Sequence, residues 1–233
     1  MTDKPILFSG PMVRALLDGR KTQTRRVIKD RGVPPQFCGG LYDAKNDPEC
    51  WGWEDHNRGE WITLDQSRHW RFVPCAIGYR LWVREAWRTS RHYDDLKPSE
   101  MGGEEPVQFV ADGAVDAHAG RVDDLLGRKR PGMFMPRWAS RLTLIVTDVR
   151  VQRVQEISAE DARAEGVDVS TGDICRDGHT LAYRIAFQHL WNSLNAPRGY
   201  GWDVNPWVAA YTFQVHRQNI DQMTNTLQQM RTT

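Results

Sequence analysis

The sequence predicts an α+β fold: a small β-barrel of few strands, with helices packed across its ends and two loop-rich insertions. Three observations predict it. Strand-type runs recur along the chain, the strongest being Leu142-Thr143-Leu144-Ile145-Val146-Thr147 followed by Val149, Val151 and Val154, where β-branched side chains suit a pleated surface. Helix signals fall between and beside these runs, at residues 9–19, 158–166 and 181–194. Residues 31–74 and 88–132 are instead rich in Gly, Pro, Asp and Asn, the residues that punctuate loops. Few strands with helices set apart from them make the α+β pattern, and a short sheet curling on itself is one way to close its edges.

The first helix is expected after Ser9, a plausible N-cap, with Pro11 in the first turn and Val13, Leu16 and Leu17 on one face. Gly19 then offers the left-handed residue that ends it. Residues 22–28 read as a strand, and alternation puts Thr22, Thr24 and Arg26 on one face, leaving Lys21 in the preceding turn. In the first insertion a single strand is expected at 60–64, and Trp51, Trp53, Trp61 and Trp70 crowd into one polar stretch. Packing of the insertion is the favoured reading of these tryptophans; base stacking or ligand caging is the alternative.

Residues 79–87 alternate, with Leu81 and Val83 on one face and Arg80, Trp82 and Arg84 on a charged one. The second insertion carries a short strand near 108–111 and ends in Gly127-Arg128-Lys129-Arg130-Pro131, a basic turn that is either solvated or a phosphate contact. After the long β-segment, Ser158 caps a short helix with Asp161 three residues on, and Gly166 stops it. Residues 181–194 are expected to form a docking helix with a broad buried stripe. A Gly/Pro/Asn loop and a closing strand at 207–215 follow. The polar tail 216–233 reads as a frayed helix with no packing partner. The whole chain, 1–233, is thereby read as a single domain with two insertions and a tail.

Composition limits what this fold can be asked to do. A hydrophobic content of 40% in 233 residues suffices for a real core. Lys+Arg number 31 and Asp+Glu 30, so any polyanion site must be local. No apolar run approaches the roughly 18 residues of a membrane span, and the first four residues begin no signal-peptide pattern; cytoplasmic residence without a membrane partner is the expectation. Cys38, Cys50, Cys75 and Cys175 lack C-x-x-C spacing and are read as free thiols. A zinc site from Cys38, Cys50 and Cys75 with His56 or His69 is disfavoured by irregular spacing, so no metal or cofactor is expected.

The candidate active segment is Gly19-Arg20-Lys21-Thr22-Gln23-Thr24-Arg25-Arg26. A turn lysine beside a strand threonine is a base and nucleophile pair, and Arg20, Arg25 and Arg26 would lower the lysine pKa by like-charge repulsion. A solvated basic strand edge is the competing reading. Glu165 falls at a helix C-terminus, where the negative end of the dipole favours the protonated acid. Glu85 would hold Arg26 or Arg84, orient a substrate, or serve in a structural ion pair.

Three blocks in order then bring a family into view: Gly19-x-Lys21-x-x-Thr24-x-Arg26 after a helix; Gly78-x-Arg80-Leu81-Trp82-Val83-Arg84-Glu85; and Ile157-Ser158-x-Glu160-Asp161-Ala162-x-x-Glu165-Gly166. Together they resemble the ASCH domain, whose fold is a PUA-like β-barrel, and most of all the larger ASCH proteins of phages and prophages. The resemblance spans residues 5–215 in discontinuous blocks, leaving the insertions and tail outside it. It implies an activity, since some small bacterial ASCH proteins are amidohydrolases that deacylate N4-acetylcytidine and related N4-acylcytidines with a Lys, a Thr and a Glu. Lys21, Thr24 and Glu165 match these by position, with Glu160 and Glu156 as alternatives for the last. Many ASCH proteins carry Glu where this chain has Thr24.

The implied course has Lys21 as base, Thr24 as nucleophile, Arg26 as oxyanion partner and Glu165 as the acid for the leaving amine, with no cofactor. Alternatively, Lys21 activates water and Thr24 holds it. Trp82, Trp138 or Trp207 would stack on the pyrimidine, and Arg84 or Glu85 would read its edge. The expected partner is a small modified nucleoside, with RNA as the second candidate. A non-catalytic RNA reader using Arg20, Arg25, Arg26 and the Arg128–Arg130 turn is the runner-up. A nuclease ranks third for want of a paired-carboxylate motif.

Overall fold

The computed structural model describes residues 2–28, 36–37, 39, 50–55, 59–63, 75–116, 127–169 and 179–223. In chain order it comprises β1 (Asp3–Leu7), α1 (Gly10–Leu17), β2 (Gln23–Val27), β3 (Gln36–Phe37), β4 (Trp51–Asp55), β5 (Glu60–Thr63) and β6 (Arg80–Arg84). There follow β7 (Trp87–Arg88), β8 (Val107–Phe109), β9 (Val115–Asp116), β10 (Thr143–Arg153), α2 (Ala159–Ala164), α3 (His179–Asn195) and β11 (Trp207–His216). Several sheets and a few helices make a mixed α/β fold, compatible with the α+β expectation. The strands form no closed barrel among the described residues. The chain divides into two compact units, the first of Met1–Gly19, Gly78–Ile145 and Gln214–Thr233, the second of Arg20–Ile77 and Val146–Phe213.

In the first unit the hydrogen-bonded order is β1-β6-β10. β1 runs parallel to β6, with Pro5 opposite Trp82, and the start of β10 runs antiparallel to it, with Thr143 opposite Trp82. Because β6 is central, the charged face expected for it is not solvated. Arg80 is buried and donates from Nε and NH2 to Asp3 at 2.7 and 2.8 Å, and Trp82 is buried as well. A central strand needs its cations paired.

The described parts of the second insertion, 88–116 and 127–132, carry more regular structure than the one short strand expected. Strands β7-β8-β9 form a small sheet beside a core of Trp87, Met101, Val107, Phe109, Met135 and Ala139. The tail is also anchored at its start, contrary to the frayed helix expected. Ile220 is fully buried, and Asn219 Nδ2 donates to the carbonyls of Arg137, Trp138 and Ser140 at 2.7–3.0 Å. An asparagine amide shared among three part-buried carbonyls is a tether that local composition does not reveal.

In the second unit β2 pairs antiparallel with β11, Thr24 opposite Tyr211, and the order is β10-β11-β2. The long β-segment is one continuous strand of 11 residues. Val154, Ile157, Ala162, Phe187, Trp191 and Val208 form this unit's cluster. On α3 the buried side chains Phe187, Trp191 and Asn195 recur every four residues, while Leu181, Ile185 and Leu194 are exposed. The stripe is thus narrower than the broad one expected. The first insertion carries a sheet β3-β4-β5, in which β3 and β4 were not foreseen. Trp51 stands edge-on to Trp207, ring centroids 4.2 Å apart, the packing role favoured for it. Trp70 lies outside the described residues.

Candidate active site

The site is assembled in the second unit by an edge strand and the end of a short helix. Gly19, at φ 72°, turns the chain after α1, a conformation a Cβ would strain. Lys21 then bridges Glu165, and the Thr22 N–H donates to the Ala164 carbonyl at 2.8 Å, so the entry to β2 is stitched to the exit of α2. At the other side α2 starts as the sequence predicts, with the Asp161 N–H donating to Ser158 Oγ at 3.0 Å. Glu165 is its C-cap, and Gly166, at φ 82°, terminates it.

Alternation along β2 sorts the side chains into two sets. Thr24 and Arg26 share one face as expected, and Arg26 NH1 donates to Thr24 Oγ1 at 2.9 Å. Lys21, Gln23 and Arg25 form the other set, all bonded towards α2. Lys21 Nζ donates to the Gln23 carbonyl at 2.8 Å, the Glu165 carbonyl at 2.8 Å and Glu165 Oε2 at 2.7 Å. These bonds match the three protons of an ammonium. The solvated-edge reading fails for this residue, since Lys21 is 0% exposed.

Burial is the main influence on Lys21 and lowers its pKa. Glu165 opposes this, Arg26 and Arg25 add to it, and the outcome lies below the ordinary 10.5. The direction agrees with the sequence reading, but desolvation outranks the arginines as its cause. Arg20 is exposed and donates to the Gly166 carbonyl instead.

Around this pair lies a network that motif reading missed. Arg25 donates from NH1 to Glu165 Oε1 at 3.2 Å and from NH2 to Asp161 Oδ2 at 2.8 Å. Asp161 Oδ1 also accepts from Gln23 Nε2 and from Arg150 NH2. Burial pushes the Asp161 pKa up, but Arg150 and Arg25 outweigh it and hold it below 3.8. Asp161 was visible as a capping residue, yet its second task needs Arg150 from β10, which no local pattern supplies. Tyr211, cross-strand from Thr24, was also missed as a site residue. Its buried hydroxyl lies against the Cys75 backbone without completing a hydrogen bond, and burial raises its pKa well above 10.0. Burial lowers the Arg26 pKa, and the Glu165 carboxylate works against that shift.

Trp82, Arg84 and Glu85 belong to the first unit and are described there. Glu85, 1% exposed, accepts from Arg141 Nε and NH2 at 2.9 and 3.0 Å. Burial raises its pKa despite Arg141. Its partner is therefore neither Arg26 nor Arg84, and the structural ion pair is what forms. Arg84 lies over the Trp82 ring at 4.4 Å and donates to the Met133 carbonyl. Trp138 packs edge-on to Trp87, and in the second unit Arg153 lies over Trp207.

Among the described residues no three His, Cys, Asp or Glu side chains gather into a metal-holding group. Cys50 and Cys75 are not disulfide-bonded, and Cys38, Cys175, His56 and His69 lie outside the described residues. No described helix is long and apolar enough to cross a membrane. Comparison with family models, with curated proteins and with solved structures finds no match.

Proposed function

We propose that this protein is an amidohydrolase that removes the acyl group from N4-acetylcytidine and related N4-acylcytidines, on a PUA-like scaffold of the ASCH type. The observation that carries the reading is the buried Lys21–Glu165 pair, 2.7 Å apart, built into the same unit as a threonine whose hydroxyl already accepts from Arg26. A lysine held without water and below its ordinary pKa suits a general base better than a surface cation.

Passing the proton from Lys21 Nζ to Glu165 Oε2 turns ammonium and carboxylate into amine and acid, the two forms the chemistry needs. On substrate entry the Lys21 stem has to leave the side of β2 it shares with Gln23 and Arg25, giving up its bond to the Gln23 carbonyl, to reach Thr24 Oγ1 and take the hydroxyl proton. Thr24 Oγ1 then forms the bond to the acyl carbon, and Arg26 stabilises the oxyanion. As the C–N bond breaks, Glu165 gives its proton to the exocyclic nitrogen of cytosine. Water, deprotonated by the Glu165 carboxylate, attacks the acyl-threonine. The Lys21 ammonium returns the proton to Thr24 Oγ1 as it leaves, closing the cycle. Tyr211 is the candidate to steady the acyl oxygen beside Arg26. With Glu85 tied to Arg141, base recognition falls to residues other than Glu85.

Ultraviolet-monitored hydrolysis of N4-acetylcytidine tests the reading. Wild type should turn over, Lys21→Ala and Thr24→Ala should lose at least about a hundredfold in kcat, and Glu165→Ala should be comparably impaired. A folded wild type that leaves the substrate intact would sink it.

A further inference from the structure

The first unit holds a second candidate site. A cavity of about 600 Å³ is lined by Lys97, Arg128, Lys129, Arg130, Pro131 and Phe134, so the basic turn noted in the sequence opens onto a concave surface. Arg130 is its floor. It is 4% exposed, stands over the Trp87 ring at 5.6 Å and donates to the carbonyls of Tyr93 and Leu96 at 2.6 and 3.1 Å, while its buried Nε has no hydrogen-bond partner among the described residues.

No carboxylate among the described residues forms an ion pair with Arg128, Lys129 or Arg130. The nearby Asp94 accepts from the Arg128 backbone N–H with both oxygens, at 2.9 and 3.1 Å. Among the described residues Lys97 pairs only with the exposed Glu100, at 3.2 Å, a pairing of little strength. Burial and the Arg128 charge both work against the Arg130 cation, and Asp94 offsets them in part. In a chain of net charge +1, this is a local excess of positive charge around a desolvated guanidinium, the environment an anion relieves. The rim adds Phe134, 56% exposed, a flat apolar face beside the cations. The volume lies in the range of small-ligand sites, about 300–1,000 Å³.

We propose that this cavity binds a nucleotide, its phosphate held by Arg128 and Lys129 above Arg130 and its base stacked on Phe134. The nucleotide is either free or one unit of a single-stranded nucleic acid, and both present the same phosphate and base. The site is independent of the hydrolase reading, because its readout is binding.

The test titrates the full chain with inorganic phosphate and with cytidine 5′-monophosphate by calorimetry, and with a fluorescein-labelled RNA of about eight nucleotides by anisotropy. Wild type should bind cytidine monophosphate or the RNA. For the RNA, log affinity should fall against log salt with a slope of about −2, as expected for about three phosphate contacts on a single strand. The Arg128→Ala/Lys129→Ala variant should bind about tenfold or more weakly and flatten that slope to about −1. Phe134→Ala should weaken cytidine monophosphate and RNA about tenfold and leave inorganic phosphate unchanged. These three side chains are exposed, so circular dichroism should show the variants folded. RNA bound far more tightly than the monophosphate identifies a strand as the ligand; equal affinities identify the free nucleotide. Failure of wild type to bind either nucleotide probe, affinities untouched in the basic double variant, or indifference to Phe134→Ala would overturn the proposal.

Discussion

Lys21 Nζ donates to Glu165 and to two carbonyls in a fully buried place, and that makes its proton the most informative one in the molecule. Removing solvent disfavours the ammonium, and Glu165 at 2.7 Å only partly restores it. Because the working pair shares one proton between Lys21 and Glu165, kcat/KM for N4-acetylcytidine should fall as pH rises through the Lys21 pKa, when no acid is left for the leaving nitrogen. The midpoint should fall below 10.5, because the folded pKa is depressed. Lys21→Arg separates charge from basicity. A guanidinium keeps the bond to Glu165 but gives up no proton in this range, so the variant should fold yet lose about 10²–10⁴ in kcat. An active Lys21→Arg enzyme would show that this residue is a positioning cation and that the base is elsewhere. Thr24→Ser keeps a hydroxyl within reach of Arg26 and should retain activity that Thr24→Val abolishes.

At the scale of elements, α2 is too short to be stable alone and depends on its ends. Ser158→Ala removes the oxygen that accepts from the Asp161 N–H and should destabilise the fold by about 1 kcal/mol, read as a shifted urea midpoint at constant slope. Because Glu165 is the C-cap of the same helix, activity should fall with it. A midpoint unchanged by Ser158→Ala would mean that the Thr22–Ala164 stitch alone holds the helix. The start and stop of α2 were legible in the sequence because both are local facts: a cap three residues from its donor, and a glycine where φ is positive. The strand holding Thr24 and Arg26 was legible by its β-branched residues and its alternation. Three things were not, and each depends on a partner far along the chain. Arg80 reads only as part of a charged face until Asp3 is placed beside it, Glu85 reads as a candidate substrate contact until Arg141 takes it, and the 216–223 segment reads as frayed until Asn219 meets three carbonyls. Lys21 was expected to turn towards the Thr24 face, whereas its stem runs with Gln23 and Arg25 towards Glu165.

Across the whole molecule, near-balanced charge conceals opposed responses to pH. Asp3, Asp112 and Asp161 all have pKa values below 3.8, burial being outweighed by Arg80 and Arg137, by Arg141, and by Arg150 and Arg25 respectively. A depressed carboxylate pKa contributes stability that is present above the unfolded value and lost as pH falls through the folded one. Glu85 acts in reverse. Its raised pKa means that the folded state binds its proton more readily than the unfolded chain, so stability from this group declines as pH rises from 4.5 through the folded value. Glu105, where burial is outweighed by backbone N–H groups that hold it below 4.5, adds a fourth depressed carboxylate. With four such groups against one among the described residues, stability should fall steeply as pH drops below about 4, each carboxylate contributing at most about 1.4 kcal/mol per pH unit. Urea midpoints measured from neutral pH down to the acid limit should show that slope, shallower in Asp161→Asn. In Glu85→Gln the loss between neutral and mildly acid pH should instead become larger, because the one group that gains on acidification is gone. If Asp161→Asn leaves the acid slope of wild type unchanged, the Arg25–Asp161–Arg150 cluster does not hold its charge as drawn, and the positioning of Glu165 through Arg25 loses its support.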